Sequence, residues 1–121
     1  MTIPPFFSPG AAGPKTPGLT VATYPFDPTA KNPKYTEFAR KYEERFHTKP
    51  DCYAVHSYDG TVMTIEAIRR AGLNRYRIRD AMQAMTHWDG ASGPIDLDLA
   101  LSNRRPVTVA TVKNGEFVFG L

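Results

Sequence analysis

The sequence predicts an α/β chain built from three helices and closed by a terminal β-hairpin. Three observations predict it. Apolar residues recur at helical spacing in three successive stretches, and the second and third open on a residue suited to capping. Gly18 to Tyr24 is β-branched and bounded by Pro17 and Pro25, as a buried strand would be. Lys113-Asn114-Gly115-Glu116 joins two apolar runs through Asn-Gly, the pair that most readily adopts the positive φ angles of a type I′ turn.

Eight of the 11 prolines lie within residues 1–33. Proline lacks a backbone donor and restricts the residue before it, so residues 1–17 read as an irregular lead. Residues 18–121 read as the folded segment. After the strand Gly18 to Tyr24, a loop runs to Pro33. The first helix is expected from Tyr35 to Phe46, with Tyr35, Phe38, Ala39, Tyr42 and Phe46 on one side. His47-Thr48-Lys49-Pro50 should end it. Asp51 is placed to cap the longest helix, Cys52 to Ala71, with Gly72 as its C-cap. Its inward stripe is expected to be Val55, Tyr58, Val62, Ile65 and Ile68 or Arg69. Gly60 falls mid-helix, where it costs about 1 kcal/mol relative to alanine. A close approach by another backbone would offset that cost. Asn74 should cap a third helix, Arg75 to Met85, with Ile78, Ala81, Met82 and Met85 together. Gly90 to Gly93 is turn chemistry. Pro94 to Leu99 alternates like a half-buried strand, and Arg105 to Val112 and Glu116 to Leu121 form the closing hairpin.

The 121 residues suggest one domain. A hydrophobic share of 41% and a charged share of 22% are ordinary for a water-soluble globular fold. The net charge of +3 is dispersed, with Lys41, Glu43, Glu44 and Arg45 interleaved. That is a solvated helix face rather than a nucleic-acid stripe, so no nucleic-acid partner is expected. No apolar run approaches the roughly 20 residues of a membrane span, so no membrane insertion is expected. The prolines and glycines of residues 1–17 differ from a secretory signal, and none is expected in this chain.

Candidate chemistry is sparse. Cys52 and His56 sit at i and i+4, with His47 nearby. A structural zinc needs four ligands and no second pair exists, so no metal is expected. No cofactor motif is present. His87 and Asp89 could suggest a small hydrolase. They lack a partner nucleophile, and no G-x-S-x-G, P-loop or G-x-G-x-x-G occurs. Trp88 between them reads as a lid over the third helix. Met63, Met82 and Met85 read as core. Tyr58 is expected to pack in the core while Asp59 fixes the helix start.

Several motifs carry a family resemblance in their order and spacing. Phe38-Ala39-Arg40-Lys41-Tyr42-Glu43-Glu44-Arg45-Phe46 with Lys49-Pro50 resembles an F-G-x-x-P ending, with His47 in place of the glycine. Tyr58-Asp59-Gly60 resembles Y-D-A, with Gly60 for the alanine. Ala67-Ile68-Arg69-Arg70-Ala71-Gly72 resembles A-I-x-x-A-G, and Arg79 to Met82 resembles R-x-A-L. Gly90 to Asp98 resembles G-x-x-G-x-I-x-F-D, and the last strands resemble a hairpin ending in N-G-x-F. Over residues 18–120 the chain is similar to the C-terminal third of type I periplasmic solute-binding proteins, the branched-chain amino-acid, amide and urea receptors of ABC transporters.

That resemblance implies the C-terminal part of a two-lobed type I periplasmic-binding-protein fold. It implies a solute-binding subunit of an ABC importer, present as a fragment or short form and performing no chemistry. The implied partners are a small polar solute such as an amino acid, ABC permease subunits, and a missing N-terminal lobe or a second copy of the chain. The implied location is periplasmic or extracellular. A ligand-sensing receptor module of the same fold is the alternative. The implied ligand-binding residues are Tyr53, His56 and Tyr24. Tyr53 falls where an aromatic would line the solute cleft, or else packs on the preceding helix. His56 would form a polar lip of that cleft or be a satisfied surface residue. Tyr24 would contact solute from the hinge or pack within it.

Overall fold

The structure, a computed structural model, describes residues 20–23, 31–106, 108–113 and 116–119. In chain order these form β1 (Thr20–Thr23), α1 (Pro33–Phe46), α2 (Cys52–Ala71), α3 (Arg75–Gln83), β2 (Trp88–Gly90), β3 (Gly93–Ile95), β4 (Thr108–Lys113) and β5 (Glu116–Phe119). The expected α/β class, with three helices and a terminal hairpin, is the observed one.

Each helix begins where a side chain can satisfy its orphan amides. Asn32 accepts from Lys34 N and Tyr35 N, and Pro33 fills the first helical position, where its missing N–H is no loss. α1 therefore starts two residues earlier than the apolar spacing suggests. It ends at His47, a left-handed residue (φ 54°) whose N–H donates to Glu43 O. Asp51 Oδ1 accepts from Ala54 N at 2.8 Å and opens α2 as expected. Gly72 closes it with φ 70°, its N–H donating to Ile68 O at 2.8 Å. Asn74 caps α3, which stops at Gln83, two residues short of the expected end.

The inward face of α2 differs from the expected stripe. The buried residues are Cys52, Val55, Asp59, Met63 and Ala67, whereas Tyr58 is 47% and Ile65 45% exposed. The helix is turned away from the Tyr58–Val62–Ile65 side because Asp59 is drawn inward by partners described below. Two small cores result. Cys52, Val55 and Ala91 pack with Tyr35 and Phe38. Met63, Ala67, Met85 and Ile95 pack with Ile78, Ala81, Met82, Trp88 and Leu97. Trp88 packs on the second of these cores, and Met63, Met82 and Met85 are core or core-lining.

β2 and β3 form a tight hairpin in register Trp88↔Ile95 and Gly90↔Gly93 around Ala91-Ser92. Gly93 has φ 106°, a conformation suited to glycine. The half-buried strand expected over Pro94 to Leu99 stops at Ile95, and Leu99 is 87% exposed. Past Ile95 only the isolated bridge Leu97↔Asn103 continues the pairing. Asp98 instead organises a local turn, its Oδ1 accepting from Ala100 N and Ser102 N at 2.8 and 2.9 Å. β1, β4 and β5 form an antiparallel sheet in that order. Lys113 pairs with Glu116, and the expected Asn114-Gly115 turn lies outside the described residues.

Candidate functional site

The first turn of α2 holds two of the three expected ligand-binding residues. Tyr53 follows the Asp51 cap and is 42% exposed. His56 lies three residues on, so both fall on one side of the helix. The His56 ring is half-buried, and its Nδ1 donates to Cys52 O at 2.6 Å. A carbonyl only accepts, so this bond places the proton on Nδ1 and leaves the Nε2 lone pair in the neutral ring. Tyr24, the third expected residue, lies outside the described residues.

Cys52 sits beneath this turn, 8% exposed. Burial, reinforced by the Asp51 carboxylate, pushes its thiol up to about 11. It is therefore a packing residue rather than a thiolate ligand or nucleophile. No group of three or more potential metal ligands occurs among the described residues.

His87 and Asp89 are both exposed. Asp89 pairs with Lys34 at 3.0 Å, with side chains 73% and 56% exposed. His87 has φ 60°. Among the described residues Asp89 is held by Lys34, and no hydrogen bond joins it to His87 or to a hydroxyl or thiol side chain.

Asp59 is the residue whose role the sequence least revealed. It lies 2% exposed in the middle of α2. Its carboxylate accepts from Ala91 N at 2.8 Å and Ser92 N at 2.7 Å, both at the tip of the β2–β3 hairpin. It joins two elements rather than fixing the start of its own helix. Its neighbour Tyr58 does not enter the core but stacks at 4.7 Å on Phe38. From the other side Asn32 Nδ2 donates to Gly90 O and Ala91 O at 3.1 and 3.0 Å. Arg105 adds a bond to Ser92 O at 3.0 Å. Residues 90–92 are thus held by α2, by the α1 cap and by the segment before β4. The signal that could have revealed this was an acid flanked by apolar helix positions, together with the paired glycines Gly90 and Gly93.

Two open grooves flank this latch. One, of about 460 Å³, runs between α1 and α2 and is walled by Phe38, Tyr42, Phe46 and Tyr58. The other, of about 430 Å³, includes Lys31, Tyr35, Ser92 and Arg105. Burial, with a smaller contribution from Glu43, raises the Tyr35 phenol above its ordinary value. Tyr53 and His56 lie on one side of α2, and neither groove formed by the described residues is lined by them.

A family model described as periplasmic binding protein matches residues 7–116. No curated protein matches the sequence. Among solved structures, a leucine binding protein from Thermotoga maritima aligns over 90% of this chain with 31% identity and a TM-score of 0.77. An ABC transporter substrate-binding protein from Desulfitobacterium hafniense, in complex with Leu, aligns over 86% of the chain with 21% identity and a TM-score of 0.78. A solute binding protein of an ABC transporter from R. palustris, in complex with benzoate, aligns over 90% of the chain with 22% identity and a TM-score of 0.75. The last two show the fold alone. The chain spans 31% of the length of each. The partial α/β fold, the order of its elements and the match over most of its length agree: the chain belongs to the periplasmic binding protein family.

Proposed function

We propose that these residues form the C-terminal part of a solute-binding subunit of an ABC importer for amino acids or related small polar solutes. The observation that carries this reading is the 31% identity to a leucine binding protein over 90% of the chain. Residues 18–121 act as one segment of that fold. The solute lies between two lobes and is gripped from both when they close. Closure is driven by the extra contacts that the solute makes only in the closed form.

In this reading Tyr53 supplies an aromatic wall for the apolar part of the solute. His56 supports the same turn of α2 through its bond to Cys52 O, and Tyr24 approaches from the hinge side. The closed form docks on permease subunits at the periplasmic or extracellular face of the membrane. Both leucine and benzoate occur in neighbours of this fold, so the fold leaves the solute open.

Isothermal titration of the 121-residue chain with a panel of amino acids tests the reading that the solute is gripped from two lobes. The expected result is no binding tighter than about 1 mM, because the chain offers only part of the grip. Micromolar binding by the chain as a monomer would contradict it.

A further inference from the structure

Residues 69–79 hold five arginines, Arg69, Arg70, Arg75, Arg77 and Arg79, and no acid. This stretch alone carries +5, whereas the whole chain carries +3. It forms the corner where α2 ends, the chain turns at Gly72 and α3 begins. All five arginines are exposed. Arg70 meets Glu66 and Arg79 meets Asp80 in surface pairs, which hold their partners weakly. Arg69, Arg75 and Arg77 make no ion pair among the described residues. α1 differs: its charges are interleaved, and Lys41–Glu37 and Arg40–Glu44 pair along it.

The fold gains nothing from bases at this place. Arg75 and Arg77 occupy the first turn of α3, which contains no acid. The helix macrodipole is positive at that end, so bases there are destabilising and an anion is favoured. Two large side chains stand among the arginines. Leu73 is 94% exposed at the turn itself. Tyr76 is 69% exposed, because Ile78, two residues on and so on the opposite side of α3, packs on the second core. Neither groove described above includes these residues, so the corner presents a tip rather than a pocket.

A projecting leucine and tyrosine ringed by arginines match the interface between phospholipid and water. There guanidinium groups meet headgroup phosphates, tyrosine lies at headgroup level and leucine reaches the acyl chains. A stable protein interface takes about 20–30 residues a side, more than this corner supplies. We propose that the Arg69–Arg79 corner docks on an acidic phospholipid surface, with Leu73 entering the interface. The contact is peripheral, since no helix among the described residues is long and apolar enough to cross a membrane. Tyr53, at the other end of α2, lies roughly 25 Å from Arg69 along the helix. Docking therefore leaves the candidate solute site clear, and the proposal goes beyond the solute-binding reading without depending on it.

The test is co-sedimentation of the 121-residue chain with vesicles of phosphatidylcholine alone, or of phosphatidylcholine and phosphatidylglycerol in equal parts. Binding to the acidic vesicles should exceed that to the neutral ones at least about 10-fold, and should weaken as salt is raised. Arg75→Glu combined with Arg77→Glu should lower it at least about 10-fold, yet raise the thermal midpoint, because acids suit the first turn of α3. Those opposite effects separate lost docking from a lost fold. Leu73→Ser should lower binding at least about 3-fold. Equal binding to both vesicles, binding to neither, or full binding by the double variant overturns the proposal. Binding unchanged by Leu73→Ser also overturns it, since any acidic surface would then serve. Retention on polyglutamate or on RNA without retention on vesicles overturns it too, and assigns the corner to an acidic protein or to nucleic acid. None of these readouts depends on solute.

Discussion

The carboxylate of Asp59 fills the space that a side chain at Gly90 would take. A Cβ built on Gly90 would stand 2.5 Å from Asp59 Oδ2, inside van der Waals contact. The acid cannot swing aside freely, because both its oxygens hold amides at the hairpin tip, Ala91 N and Ser92 N. Helix and hairpin are therefore locked by an acid and a glycine together. Asp59→Ala should lower stability by about 2–3 kcal/mol, because two amides lose a charged acceptor. Gly90→Ala should cost about 1–3 kcal/mol through overpacking. Urea denaturation followed by far-UV circular dichroism would measure both. The two substitutions should couple rather than add, since they disrupt one contact.

His47 closes α1 in a left-handed conformation that a side chain disfavours. His47→Gly should raise stability by about 1 kcal/mol, read as a higher thermal midpoint. His47→Ala keeps the Cβ and should give no such gain. Equal midpoints for the glycine and alanine variants would show that the conformation is not strained.

Gly60 lies inside α2, and a Cβ there would meet nothing within 4 Å among the described residues. The close backbone approach expected from the sequence is absent within those residues. Gly60→Ala should therefore stabilise the 121-residue chain by about 0.5–1 kcal/mol, through helix propensity and a less free unfolded chain. A destabilised variant would point to a contact made at that position.

The Cys52 thiol should be slow to alkylate. Raising its pKa from 9.0 to about 11 lowers the thiolate fraction near pH 8 about 100-fold, before burial is counted. The linkage sign is definite. The unfolded thiol loses its proton near pH 9 while the folded one keeps it to about 11. This group's contribution is thus fully present below pH 9 and declines as pH rises toward 11. Alkylation kinetics of the folded and urea-unfolded chain would check the reactivity. Equal rates at pH 8 would contradict the burial.

The local features of the fold were legible in the residues. Asp51 and Asn74 cap helices through neighbours two or three positions away, and Gly72 closes α2 through Ile68 O over equally short range. The inward face of α2 was not legible, because the helix carries apolar residues on two sides. The choice between them is made by Asp59, whose partners are 32 and 33 positions distant. The strand expected over Pro94 to Leu99 failed for the opposite reason. Its alternation was genuine, but Asp98 binds amides two and four residues ahead and turns the chain instead. Of the candidate site, Tyr53 and His56 lie three positions apart on α2, as their spacing in the sequence implies. The sequence could not show that the two grooves of the described residues lie elsewhere.

The most direct measurement is titration of amino acids into the chain joined to the remainder of the Thermotoga maritima leucine binding protein. The account predicts micromolar binding of at least one member of the panel, weakened at least about 10-fold by Tyr53→Ala, the loss of one aromatic contact. A joined protein that melts as one unit and binds none of them, or binds equally well with Tyr53→Ala, would contradict it.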